Sequence, residues 1–319
     1  MKLVTIAVGN GGSLGAILSG AEVVDIRSVA RPNTLEAWIP SSLRDVLEAG
    51  PEGLAVVRQI IDRIETEGEA ARIPLRSRGA ITAYTSTHLL APIVEPRLII
   101  GGGLNYRSHL KEMASTPEPT RPTGFLKAIS SVAGPNAAIR MPVQASKMID
   151  WEGEVACVMG RHCHNVTPSE ARECIAGYTI VNDVSARDWV GDVFKATEAW
   201  EARLSWELNI MGKQFAGFTA MGPALVTADE IADCNDLSLT TRLNGETVQS
   251  GHTGDVIFDF AECVSFFSRW YSFSPGDIVT TGTPAGVGAG RRPPRFMQAG
   301  DTIEISVGGI GVLRNQLAR

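Results

Sequence analysis

The sequence predicts a β-rich α+β protein, and two observations predict it. The 319 residues include 33 glycines against 17 prolines, scattered between short apolar runs. Glycines so placed mark many tight turns, and the absence of a G-X-Y period excludes collagen. Hydrophobic residues make up 44% and charged residues 20%, an ordinary globular balance that excludes wholesale disorder. At about 100–200 residues per domain the length suggests two domains. The formal charge of −6 gives no footprint for nucleic acid or an anionic membrane. No apolar run reaches the roughly 18 residues that span a bilayer.

Residues 1–95 read as the smaller N-terminal domain and 96–319 as the catalytic one. Leu3 to Val8 lead into the Gly9-Asn10-Gly11-Gly12 turn. This run is too short for a signal peptide and reads as a first strand, answered by Leu14–Leu18 and Ala21–Ile26. Ser41–Ala49 is a short helix. Leu54, Val57, Ile60, Ile61 and Ile64 give Pro51–Glu67 one apolar helical face. Leu98-Ile99-Ile100 is a strand ending in Gly101-Gly102-Gly103, and Met148–Gly160 is strand-like. Thr167-Pro168-Ser169-Glu170 is a capping box with proline just inside; its helix should run to Ala176 and stop at Gly177. Tyr178–Val181 is a further strand. Leu237–Leu243, Asn244-Gly245 and Thr247–Gln249 make a hairpin. Pro275-Gly276-Asp277 and Ala299-Gly300-Asp301 punctuate the closing strands. The five cysteines, an odd number without CxxC spacing, fit reduced thiols in a cytoplasm.

Chemistry concentrates in two places. A strand carrying Asp150-Trp151-Glu152-Gly153-Glu154 would line one face with three carboxylates. Their repulsion is relieved by a hard divalent cation; the bland alternative is an edge strand with a solvated acidic face. Asp183, ending an apolar run, supplies a further oxygen ligand. His109 and Glu112 stand three apart and share one side of a helical turn. The carboxylate there could orient the imidazole as a base; the alternative is a surface pair.

Taken together, these segments resemble the fumarylacetoacetate hydrolase family. The match runs in order over about residues 98–310. It carries Asn105-Tyr106 with His109 and Glu112, Phe125-Leu126-Lys127, Asp150 to Glu154, and Gly177 through Asn182-Asp183 to Asp188. It continues with Gly212-Lys213, Met221-Gly222-Pro223, Asn244-Gly245 with Gln249 and Thr253, and Thr281-Gly282-Thr283-Pro284 to Gly288. The resemblance implies a mixed β-sandwich roll in a homodimer. It implies Mg²⁺ or Mn²⁺ (Ca²⁺ in some crystals) on Glu152, Glu154 and Asp183, and a water-activating His109–Glu112 dyad on a lid. Lys213 is implied beside the reacting carbonyl, Thr283 on the substrate, and Tyr106, Lys127 and Arg187 in supporting substrate contacts. Many members read A-R-D-W-Q where this chain has Ala186-Arg187-Asp188-Trp189-Val190. Valine offers no amide, so another residue recognises the substrate carboxylate or the substrate differs.

The expected activity is metal-dependent hydrolysis of a C–C bond in a β-diketone or acylpyruvate-type acid, in aromatic catabolism. His109 would deprotonate water, Lys213 would stabilise the oxyanion, and the metal would stabilise the departing enolate. The same site would serve a 2-oxoacid decarboxylase, a tautomerase or isomerase, or a hydratase. A non-catalytic small-acid-binding protein is the alternative of another class. Arg161-His162-Cys163-His164 is an exposed turn rather than a zinc site. Gly9 to Gly15 lacks the register of a dinucleotide loop. Gly286 to Arg292 is either an anion loop or a plain turn. Trp189, Trp200 and Trp206 fit core, dimer contact or pocket wall equally.

Overall fold

In a computed structural model the described residues are 1–9, 12–113, 116–144, 147–189 and 196–319. Among them the chain builds a mixed, β-rich α+β fold on two large sheets. The main sheet runs, in spatial order, Ile81–Ala83, Glu22–Asp25, Ser13–Leu18, Lys2–Ile6, Thr219–Thr227, Ile175–Asp183, Gly153–Met159, Ile278–Thr280, Ile99–Gly103 and Thr123–Leu126. The second sheet runs Glu246–His252, Ser238–Leu243, Thr302–Val307, Gly311–Ala318 and Ala138–Arg140. Most neighbours are antiparallel. Ile278–Thr280 lies parallel to Ile99–Gly103, and Gly311–Ala318 parallel to Ala138–Arg140.

Gly153–Met159 lies between two cores and is buried along its whole length. Val155, Cys157 and Met159 join Leu239, Ile303, Ile305 and Leu313 of the second sheet. Ala156 and Val158 join Val57, Ile60 and Ile64 of the helix Gly50–Glu67. The alternation is that of a strand whose side chains point to opposite faces in turn. It also shows that residues 1–95 do not form a sheet of their own. Lys2–Ile6 pairs with Thr219–Thr227, so the opening strands extend the main sheet.

Local chemistry accounts for several elements. Ser42 caps Leu43–Glu48 by accepting from Asp45 N. Thr167 and Glu170 close a reciprocal capping box on Pro168–Cys174. Asn244 and Gly245 take φ of 52° and 84°, the left-handed pair that joins two twisted strands tightly.

Two boundaries differ from the sequence expectation. The helix after Thr167 ends at Cys174, and Ile175 already begins a strand. Gly177 is therefore no helix stop: it sits where a Cβ would run into the carbonyl of Val226 on the neighbouring strand. Met148–Gly160 is also not one strand. Ile149–Asp150 pairs with Ser185–Ala186, and a new strand starts at Gly153. The break at Trp151 and Glu152 turns Asp150 away from the other two acids. Among the described residues no helix is long and apolar enough to cross a membrane.

Candidate active site

The site forms where the main sheet's central strands end. Asp183 closes Ile175–Asp183, and Glu152 and Glu154 flank the start of the neighbouring strand. Asp183 N donates to Glu152 O at 2.9 Å, and Asn182 Oδ1 accepts from Glu152 N at 3.1 Å. One ligand oxygen from each of Glu152, Glu154 and Asp183 lies within 4.8 Å of the others. All three residues are buried.

Three cations face this acid cluster. Lys213 Nζ donates to Glu152 Oε2 at 2.8 Å and to Asp183 Oδ2 at 2.7 Å. Lys127 Nζ pairs with Asp183 Oδ1 and donates to Lys213 O at 3.0 Å. Arg187 bonds Glu152 through Nη2 and Asp150 Oδ2 through Nε, the latter at 3.1 Å. Burial alone would raise Glu152, but Lys213 and Arg187 outweigh it and hold its carboxyl down at about 2. Burial likewise disfavours the Lys213 ammonium, yet Asp183 and Glu152 hold its pKa up. Lys127 moves the other way. Burial and the charge of Lys213 lower it, because it has one carboxylate partner rather than two.

Glu154 is the exception in the cluster. Burial, then the charges of Asp183 and Glu152, push its carboxyl well above the ordinary range. Neither of its oxygens meets a hydrogen-bond partner. An orphaned buried carboxylate is costly. Three convergent carboxylate oxygens are the donor set that a hard divalent cation takes. The residues present therefore fit such an ion.

The dyad lies on the short helix Arg107–Glu112. His109 Nδ1 and Glu112 Oε2 are 3.1 Å apart, both half-buried. Asn105 anchors the approach to this helix through Phe258 N at 2.9 Å and Thr281 O at 3.1 Å. Ser108 N donates to Asp255 Oδ2 at 2.9 Å. Glu112 Oε1 accepts from Gly286 N at 3.0 Å, and Gly290 passes so near Glu112 that a Cβ would collide with its carboxyl. His109 is close enough to Glu152 for its charge to favour the carboxylate there.

The glycine loop after Thr283 ties these parts together. Gly288 N and Ala289 N donate to Asp150 at 2.6 and 3.1 Å, and Trp151 Nε1 donates to Gly286 O at 3.1 Å. The anion held by this loop is thus the chain's own Asp150. Thr283 turns its hydroxyl inward, donating to Gly153 O at 2.9 Å and accepting from Gln249 Nε2 at 2.8 Å. Tyr106 is buried, with its phenol unpartnered and its ionisation suppressed by burial. Arg187, expected to contact substrate, is engaged by Asp150, Glu152 and, at 3.3 Å, Asn209 Oδ1. Val190 lies outside the described residues, as does the Asn10-Gly11 part of the opening turn. His162 bonds Glu48 at 2.9 Å, and His164 bonds Tyr271 O at 3.4 Å. The Arg161–His164 segment accordingly forms no metal cluster among the described residues.

The family model for the C-terminal domain of fumarylacetoacetate (FAA) hydrolase matches residues 98–318. The chain belongs to the fumarylacetoacetate hydrolase family. Relatives of this family member include the mitochondrial oxaloacetate tautomerase FAHD2A of Homo sapiens. It is 34% identical over 298 residues, 93% of this chain and 86% of the relative. The oxaloacetate tautomerase YisK of Bacillus subtilis is 32% identical over 320 residues, covering 99% of this chain and all of the relative. The solved fumarylacetoacetate hydrolase of Exiguobacterium antarcticum superposes with a TM-score of 0.72 at 30% identity, covering 100% of both chains. Like its relatives, the chain is an enzyme of this family.

Proposed function

We propose that this enzyme is a divalent-cation-dependent keto–enol tautomerase acting on a small 2-oxo diacid of the oxaloacetate class. The observation that carries the proposal is the convergence of Lys213 and His109 on Glu152. Tautomerisation moves a proton between a carbon and the neighbouring carbonyl oxygen. His109, oriented by Glu112, is the group that takes the proton from carbon and returns it. Lys213 presents a fixed positive charge to the oxygen as it gains negative charge. Glu152, Glu154 and Asp183 would hold Mg²⁺ or Mn²⁺, which acts as a Lewis acid toward substrate oxygens. Arg187 and Lys127 keep the carboxylates oriented. The near full-length similarity to two oxaloacetate tautomerases supports the choice of chemistry.

A second reading is hydrolysis of the C–C bond of an acylpyruvate. The half-buried dyad favours it, because His109 can equally deprotonate water. Product analysis with oxaloacetate and an acylpyruvate, side by side, separates the readings. Faster decay of the enol band without pyruvate, CO₂ or a cleaved acid supports the tautomerase. Stoichiometric release of two acids from the acylpyruvate supports the hydrolase, and pyruvate with CO₂ from oxaloacetate supports a decarboxylase.

The proposal includes the domain division near residue 95, a cytoplasmic setting and a homodimer. Five free, buried cysteines support a reducing compartment. Trp200, Trp206 and Met211, exposed on the helix Ala199–Met211, support a surface that a second copy covers.

A further inference from the structure

Gly153 separates the two glutamates of the acid cluster, and its peptide groups are held from the far side of the sheet. Gly153 N donates to Gln249 Oε1 at 3.0 Å, and Gly153 O accepts from Thr283 Oγ1 at 2.9 Å. Gln249 Nε2 closes the ring by donating to Thr283 Oγ1 at 2.8 Å and also bonds Pro284 O at 2.9 Å. Thr241 Oγ1 donates to Gln249 Oε1 at 2.8 Å. Gln249, Thr283 and Thr241 are all buried. A Cβ at Gly153 would run into Thr241 Oγ1 and come within 3.2 Å of Gln249 Oε1.

Gln249 belongs to the second sheet, so its reach has a structural cause. Thr241 pairs with Gln249 but Arg242 pairs with Thr247, leaving Val248 as an extra residue in the strand Glu246–His252. Such a bulge re-aims side chains. Here both Val248 and Gln249 are buried. The side chains of Glu152 and Glu154 leave the opposite face of the strand from the one on which Gln249 presses.

We propose that Gln249 is a positioning residue for the cation site. With Thr283 it clamps both polar groups of the Gly153 peptide and so fixes the spacing of Glu152 and Glu154. The proposal rests on reading the acid cluster as a cation site. Groups that orient ligands without touching the ion commonly govern affinity. This one acts through backbone rather than through a ligand side chain.

The test is Mn²⁺ binding to the whole chain, measured by electron paramagnetic resonance well below each variant's unfolding temperature. Gln249→Met and Thr283→Val are each expected to weaken Mn²⁺ about 10–100-fold. Their combination should lose less than the product of the two, because both act on one peptide. Thr283→Ser keeps the hydroxyl and is expected to bind like the native chain. A folded Gln249→Met that binds Mn²⁺ as tightly as the native chain overturns the proposal. So does a Thr283→Ser as weak as Thr283→Val. If Gln249→Met does not fold, the two Thr283 variants decide. Glu154→Gln, measured alongside, separates the two levels. If it binds Mn²⁺ like the native chain, or if the native chain binds none, the cation reading fails and the clamp falls with it. If Glu154→Gln loses Mn²⁺ and the clamp variants do not, the clamp alone is wrong.

Discussion

Glu154 keeps two buried oxygens without a hydrogen bond, while its neighbours Glu152 and Asp183 share two lysines and an arginine. That asymmetry carries a pH prediction. Burial and the adjacent carboxylates raise Glu154, so the cation-free chain holds a proton there at pH values where an ordinary carboxyl has lost it. A cation needs the carboxylate, and its binding must expel that proton. Mn²⁺ affinity is therefore expected to climb as pH rises toward the Glu154 pKa and to fall on acidification. Calorimetry in buffers of different ionisation heat should record the released proton, and an affinity flat with pH would contradict this. The acid types and their spacing were legible in the sequence. Their division of labour was not, because the turn at Trp151 and Glu152 sends Asp150 to Arg187 and to the N–H groups of Gly288 and Ala289. Thr283 and Gln249 were visible only as parts of a motif. Their hydroxyl and amide bond backbone far away in sequence, which no local pattern encodes.

At the scale of elements, two glycines separate close approach from turn geometry. At Gly177 any side chain would strike the Val226 carbonyl. Gly177→Ala is expected to destabilise by about 1–3 kcal/mol or more, as overpacking between paired strands does. Gly245 has φ of 84° with nothing within 4 Å of a built Cβ. Gly245→Ala should cost only the left-handed backbone penalty, about 1–2 kcal/mol. Urea unfolding of both variants checks the order, and a reversed order would refute this account of the two sites. The Asn-Gly hairpin and the Thr167 capping box were readable because each is a short-range device. The end of the helix at Cys174 was not. Its stop is set by Ile175 joining a strand that pairs on both sides, an event decided by Gly153–Met159 and Thr219–Thr227.

Across the whole molecule, the main sheet joins the two parts of the chain. Residues 1–95 cover Ala156, Val158, Val181, Met221, Leu225 and Ile278, the back of the strands that hold the acids. A chain beginning at residue 96 would expose that face and the edge of Thr219–Thr227. It is expected to be aggregated or unfolded by circular dichroism and size exclusion; a monodisperse, folded fragment would contradict this. The change of texture near residue 95 was legible, but the pairing of residues 2–3 with 225–226 was not, since nothing local marks a contact of that separation. The same sheet sets the site's chemistry by fixing three acids at its centre, while the loop after Thr283 holds the dyad's Glu112 and the Gly153 peptide in one frame. The central claim is that His109 moves the substrate proton at this site. Decay of the oxaloacetate enol band with saturating Mg²⁺, native chain against His109→Ala, tests it most directly. The account expects a loss of about 10²–10⁴-fold with cation affinity unchanged. A His109→Ala enzyme that catalyses the decay at the native rate would contradict it.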